Sequence, residues 1–130
     1  MKIFLLDDDV DLLNAVRRML QTSGHEVDIS SDAKDAATTV GCGDYDVVLV
    51  DYKMPERDGA WFMRNCSIPA KTKVLLCSAY ATKDVLKQMF ALGASGYIMK
   101  PFDEADLLHN INFHAGEGKE DGGSFDSVPA

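Results

Sequence analysis

Five short apolar runs, Lys2 to Leu6, Val27 to Ile29, Val47 to Val50, Val74 to Cys77 and Tyr97 to Met99, recur along the chain with helix-patterned segments between them. Each connection is long enough to hold a helix, and a strand, helix, strand alternation predicts βαβ units on a parallel sheet. Ile3-Phe4-Leu5-Leu6, Val47-Val48-Leu49-Val50 and Val74-Leu75-Leu76-Cys77 are continuously apolar, as strands covered on both faces must be. Glu26-Val27-Asp28-Ile29 instead alternates polar and apolar, which suits an edge strand.

Helix signals fill the gaps. Leu13, Val16 and Leu20 stand at helical spacing before a stop at Gly24. Asp32 or Ser31 can cap a second helix running through Ala36, Ala37 and Val40 to Gly41. Asp58-Gly59 makes a turn before a third containing Trp61, Phe62 and Cys66, which Pro69 prevents from continuing. Thr82 caps a fourth whose stripe is Leu86, Met89 and Phe90, read as core, with Gly93 as its end. The fifth opens at Asp103 and carries Leu107, Leu108 and Ile111. Residues 1-115 therefore form one domain, and residues 116-130, rich in Gly and acids with only Phe125 and Val128 to bury, read as a flexible tail or linker.

A net charge of -8 over 130 residues argues against nucleic acid binding by this segment, because phosphate backbones need a basic face. The apolar stretch at the N-terminus is too short for a signal peptide or a membrane span. Cys42, Cys66 and Cys77 lack metal-type spacing and read as reduced thiols of a cytoplasmic protein. His25, His109 and His114 are scattered, and no function is assigned to them.

In an open parallel sheet, ligands bind at the carboxyl ends of the strands. The residues there are Asp7, Asp8 and Asp9 after the first strand, Asp51 after the third, Ser78 after the fourth and Lys100 after the fifth. Converging carboxylates repel one another unless a cation joins them, and hard oxygen ligands favour Mg²⁺. One carboxylate can then attack a phosphoryl donor and form an aspartyl phosphate. Catalysis of that step is mostly charge stabilisation at the three equatorial oxygens, a task for Mg²⁺, the Lys100 ammonium and the Ser78 hydroxyl. Taken singly, each has an ordinary reading: helix-terminal acids for Asp7 to Asp9, a turn cap for Asp51, a solvated lysine, a strand-end hydroxyl.

Four segments carry a family resemblance: Phe4-Leu5-Leu6-Asp7-Asp8, Val50-Asp51-Tyr52-Lys53-Met54-Pro55 with Asp58-Gly59, Leu76-Cys77-Ser78-Ala79, and Gly93 through Phe102 with Tyr97-Ile98-Met99-Lys100-Pro101. In this order and spacing the chain resembles the receiver domains of two-component response regulators. The resemblance implies a flavodoxin-like α/β fold, a five-stranded parallel sheet of order 2-1-3-4-5 flanked by five helices. It implies Mg²⁺ bound by Asp8, Asp51 and the Lys53 carbonyl, with Asp7 acting largely through water. It further implies that Asp51 receives the phosphoryl group from a sensor histidine kinase or phosphotransfer protein, and that Lys100 precedes a cis bond to Pro101. By the same resemblance Ser78 and Tyr97 form a switch that alters the face of the fourth helix, fifth strand and fifth helix. A downstream protein or output domain would read that face. A homodimer through the fourth and fifth helices is compatible with the resemblance, though nothing in the spacing demands it. Such a domain is not an enzyme in the usual sense, since it catalyses only its own phosphorylation and dephosphorylation.

Lys53 and Tyr80, two residues after Asp51 and Ser78, stand at positions that in this family tune how readily water reaches the acyl phosphate; both are bulky here, and the expectation is slow dephosphorylation. A rival of another class is a haloacid-dehalogenase-like phosphohydrolase, whose first motif Asp7-Asp8-Asp9-Val10 also resembles, with Asp7 as nucleophile and Asp9 as acid and base. It leaves the Asp51 segment unexplained.

Overall fold

The computed structural model describes residues 1–116; residues 117–130, on which most of the tail reading falls, lie outside the described residues. In chain order the elements are β1 (Lys2–Leu6), α1 (Val10–Thr22), β2 (Glu26–Ser30), α2 (Ala33–Cys42), β3 (Val47–Val50), α3 (Gly59–Asn65), β4 (Lys73–Ser78), α4 (Lys83–Ala91), β5 (Gly96–Met99) and α5 (Glu104–Ala115). The sheet order is β2-β1-β3-β4-β5 with every neighbouring pair parallel, the order and fold that the resemblance implied. β2 is an edge, the position that its alternating sequence suits.

Side chains on a strand alternate between faces, so each apolar run feeds two layers. Ile3, Leu5, Val47, Leu49, Leu75 and Ile98 pack with Leu13, Val16 and Leu20 of α1 and with Leu107 and Ile111 of α5. Phe4, Leu6, Val48, Val50, Val74 and Leu76 pack with Ala33, Ala36 and Val40 of α2, Phe62 and Met63 of α3, and Met89 of α4. Each fully buried side chain of this size stabilises the fold by roughly 1.5–3 kcal/mol, which is what fixes the sheet register beneath the site. No helix among the described residues is long and apolar enough to cross a membrane.

Aspartate and threonine caps start all five helices: Asp9, Asp32, Asp58, Thr82 and Asp103 each accept from a backbone N–H in the first turn. Gly24 and Gly93 follow α1 and α4 with φ of +93° and +117°, a conformation that glycine adopts without steric cost.

Three local expectations are corrected. α2 runs past Gly41 to Cys42, because Gly41 keeps helical geometry and the break falls at Gly43. Cys66 is the cap that follows α3, its φ of -111° and ψ of 132° being extended, so it is not a helical residue. Phe90 does not share the burial of Met89; it stands 42% exposed, edge-on to Tyr97. α4 packs on the sheet through Met89 with Val85 and Leu86, which turns Phe90 outward.

Candidate functional site

The carboxyl ends of β1, β3, β4 and β5 meet at one crevice. Asp51 follows β3 directly, and its backbone N–H donates to the Leu6 carbonyl at 2.9 Å, so the end of β1 fixes where it stands. Lys100 follows β5, with its backbone N–H on the Ser78 carbonyl at 3.2 Å. The peptide bond from Lys100 to Pro101 is cis. Gly59 N–H donates to the Tyr52 carbonyl at 2.8 Å, closing the loop from Asp51 to α3.

Asp7, Asp51 and Ser78 are buried, while Asp8 is exposed at the rim. Lys100 Nζ lies 2.6 Å from Asp7 Oδ2 and 3.6 Å from Asp51 Oδ2. Asp7, Asp8 and Asp51 each present an oxygen within 4.8 Å of the others. Adjacent ligands of an octahedral Mg²⁺ stand about 2.9 Å apart and opposite ones about 4.2 Å, so the three carboxylates, whose hard oxygens suit this ion, would draw closer together to hold it. Asp8 on the wet side leaves room for the water that Mg²⁺ tends to keep.

The electrostatics point the same way. Burial and then the neighbouring charge of Asp7 raise the Asp51 carboxyl above its ordinary value, against the pull of Lys100, the Ser78 hydroxyl and the Tyr52 N–H. Desolvation would lower the Lys100 ammonium, but its hydrogen bond to Asp7 and the charges of Asp51 and Asp7 outweigh that and hold it above the usual lysine value. Two acids thus share one cation, and the crevice retains an excess of negative charge. Beneath it the Cys77 thiol, desolvated between the same charges, is pushed up to about 12 and is no nucleophile.

All of Asp7, Asp8, Asp9, Asp51, Lys53 and Lys100 line one cleft, with Tyr80, Met54 and Pro55. Ser78 lies beneath, its hydroxyl oxygen accepting from the Tyr80 N–H at 2.9 Å. Asp9 stands at the edge of the cleft with a different task from its two neighbours: its carboxylate caps α1 through the Leu12 N–H at 3.1 Å, while its own N–H donates to Asp7 Oδ1 at 2.9 Å. Tyr97 lies away from the crevice, 42% exposed on the surface of β5. Two contacts go beyond the sequence reading, which paired Lys53 with Tyr80 by position and said nothing of Gln88. Lys53 Nζ sits 4.6 Å from the centre of the Tyr80 ring, spanning the mouth of the cleft. The Tyr52 hydroxyl donates to Gln88 Oε1 at 2.9 Å, tying the loop after Asp51 to α4 across 36 residues of sequence.

Fold and crevice together define a class, the doubly wound proteins that gather acids, one amine and one hydroxyl at the carboxyl edge of a 2-1-3-4-5 sheet. Residues 3–112 match the model of the response regulator receiver domain, and the chain belongs to that family. It is 32% identical over 112 residues to the transcriptional regulatory protein CrdR of Helicobacter pylori, covering 85% of this chain and 53% of that protein. A CheY-like receiver domain protein from Methanospirillum hungatei superposes with a TM-score of 0.81 at 27% identity, over 85% of this chain and 90% of that one. The response regulator TrrA of Thermotoga maritima, solved with Mg²⁺ and BeF, gives a TM-score of 0.75 at 25% identity over 85% and 96%. The chain spans about half the length of the curated relatives it matches. As a two-component receiver domain it is a signalling module, and the phosphohydrolase reading is not favoured: Asp9, the acid and base of that scheme, is committed to the cap of α1.

Proposed function

We propose that Asp51 is the phosphoacceptor of this receiver and that the residues around it act on the transfer. Asp7, Asp8, Asp51 and the Lys53 carbonyl would hold Mg²⁺, which when bound neutralises carboxylate charge and draws a phosphoryl oxygen toward the site. An Asp51 carboxylate oxygen attacks phosphorus while the bond from phosphorus to the donor, a kinase or phosphotransfer-protein imidazole nitrogen, breaks with its electron pair going to nitrogen. The Lys100 ammonium and the Ser78 hydroxyl face the equatorial oxygens as charge builds there. The observation that carries this reading is the placement of Asp51, 6% exposed yet 3.6 Å from the Lys100 amine. In that setting any charge added to Asp51 meets a cation already in position.

The chemistry is confined to the chain's own aspartate, on and off. Ser78 then moves toward the phosphoryl group and Tyr97 turns inward, which alters the surface of α4, β5 and α5 that a downstream protein or output domain reads. Transcriptional output, as the names of several relatives suggest, would belong to such a domain. The contact of Lys53 with Tyr80 supports a further element: the pair screens the acyl phosphate from water.

Intact mass after incubation with Mg²⁺ and acetyl phosphate tests these roles. Wild type should gain one phosphoryl group and Asp51→Asn none; an adduct on both proteins would remove Asp51 from its role. In Ser78→Ala the adduct should form without any change at the Tyr97 ring resonances, and an unaltered Tyr97 response would contradict the switch. Chased after Mg²⁺ removal and restoration, the adduct of a Lys53→Ala, Tyr80→Ala protein should decay faster than that of wild type, because water then reaches the acyl phosphate more readily. Equal lifetimes would sink the screen.

A further inference from the structure

Tyr52 is held at both ends. Its backbone N–H donates to Asp51 Oδ1 at 2.8 Å, and its hydroxyl donates to Gln88 Oε1 of α4 at 2.9 Å. Its carbonyl accepts from the Gly59 N–H at 2.8 Å, so the same residue also grips the start of α3. The ring is half-buried and packs on the core layer that takes Val85 and Leu86 of α4. One side chain thus links the crevice to α4. This is the helix on which such a tie weighs most. Of the residues of α4 only Met89 is buried, whereas α1 buries Leu13, Val16 and Leu20 and α2 buries Ala33, Ala36 and Val40. An element with few buried apolar contacts is the one whose position a single hydrogen bond can bias. Gln88 precedes Met89 and follows Val85 by three residues, which puts it on the flank of the helix beside its packed stripe.

We infer that Gln88, acting through Tyr52, is a positioning residue for the chemistry at Asp51, and that the pair couples this carboxylate to α4 by a route separate from Ser78 and Tyr97. The inference rests on the reading of Asp51 as the phosphoacceptor. Asp51 Oδ2 faces the Lys100 amine at 3.6 Å, while Oδ1 is engaged by the Tyr52 N–H. Oδ2 is therefore the oxygen that attacks phosphorus. The angle at which the carboxylate presents it is set by the Tyr52 N–H, and so by where Gln88 holds the ring. Once the bond to phosphorus has formed and the donor nitrogen has left with its electron pair, Oδ1 remains as the carbonyl oxygen of an acyl phosphate. It has lost its share of the carboxylate charge, and a charge-assisted hydrogen bond is roughly twice as strong as a neutral one. The hold on Tyr52 slackens, and its hydroxyl carries the change to Gln88. Such coupling is reciprocal: a ligand that moves α4 at Gln88 shifts the phosphorylation equilibrium of Asp51 by the factor that phosphorylation shifts its affinity.

Gln88→Met keeps the length and apolar stem of the side chain but removes the amide oxygen, and Tyr52→Phe removes the donor. In both variants, labelling of Asp51 by acetyl phosphate at saturating Mg²⁺, followed by intact mass, should slow about two- to ten-fold, the size of one net hydrogen bond expressed in a rate. The double variant should be no slower than either single one. Gln88→Glu, which keeps an oxygen to accept from the Tyr52 hydroxyl, should restore the rate. The Gln88 side-chain amide resonances give a readout apart from rate. They should shift on labelling of wild type and of Ser78→Ala, and stay in place on labelling of Tyr52→Phe. Equal labelling rates in wild type and Gln88→Met would overturn the inference while leaving Asp51 as the acceptor. So would Gln88 resonances that move in Tyr52→Phe but not in Ser78→Ala. Adduct that forms equally on Asp51→Asn would overturn both readings.

Discussion

Lys100→Met is expected to leave a protein that folds poorly without a divalent cation and recovers when one is added. The amine that this substitution removes is the counter-charge of two buried carboxylates, at 2.6 Å from Asp7 and 3.6 Å from Asp51. Breaking a fully buried ion pair from one side costs roughly 3–5 kcal/mol, because the remaining charge stays desolvated. Here the lysine is partly wet, so a loss of about 2–3 kcal/mol in metal-free urea unfolding is the appropriate scale. Mg²⁺ at a hundred times its dissociation constant returns about 2.7 kcal/mol. The pH dependence has a defined sign. Asp51 already lies above its ordinary 3.8, and losing the downward pull of Lys100 raises it further. A carboxyl whose native pKa exceeds its unfolded one favours the folded state only while protonated, so the deficit of the variant should be small at acid pH and grow as pH rises through that native pKa. Phosphorylation by acetyl phosphate should fall by about 10²–10³, as when one preorganised charge is deleted from a transition-state site. A variant as stable as wild type in metal-free buffer at neutral pH would mean that Lys100 does not neutralise this crevice.

The second large effect concerns a residue with no side chain. A Cβ placed on Gly59 would meet the Asp51 carbonyl oxygen at 2.5 Å and the Tyr52 Cα at 3.0 Å. Both are backbone atoms, so no rotamer change relieves the clash, and α3 must back away from the loop that carries Asp51. Gly59→Ala should cost about 1–3 kcal/mol, in the range of other overpacked sites. The functional loss should be larger. A shift approaching 1 Å in the position of a reacting group costs about 10² in rate, which acetyl phosphate labelling followed by intact mass would register. Gly41→Ala, within α2, is the natural control, since its Cβ would make only an ordinary 3.9 Å contact with the carbonyl oxygen of Ser67 in the loop after α3. That substitution should be neutral or stabilising by about 0.5–1 kcal/mol through helix propensity alone. Equal behaviour of the two alanine variants would show that close approach at Gly59 is not what sets the loop.

Much of the molecule was legible before any coordinates, and the legible parts share a physical origin. Strand runs, cap residues and glycine stops depend on neighbours within a few positions, where period and hydrogen bonding are written directly into residue types. Asp58 and Thr82 starting their helices, and Gly93 ending one, are of this kind. The list of groups at strand ends was also local: a polar residue directly after a buried strand must emerge at its carboxyl edge. That reasoning brought Asp7, Asp51, Ser78 and Lys100 to one place once the strand order 2-1-3-4-5 was supplied.

Sequence by itself thus determined which elements form, which residues the crevice can draw upon and which family the chain resembles. Tertiary structure alone decided how three identical side chains in a row divide their work: Asp7 beneath Lys100, Asp8 at the wet rim and Asp9 on the end of α1. It decided too that Lys53 meets Tyr80, that Tyr52 binds Gln88, and that Phe90 faces water while Met89 is buried. The reason is range. Side-chain type and spacing fix hydrogen bonds and burial over a turn or two, whereas contacts between residues tens of positions apart depend on register and on the angle at which each helix settles against the sheet, which emerge only when every layer packs at once.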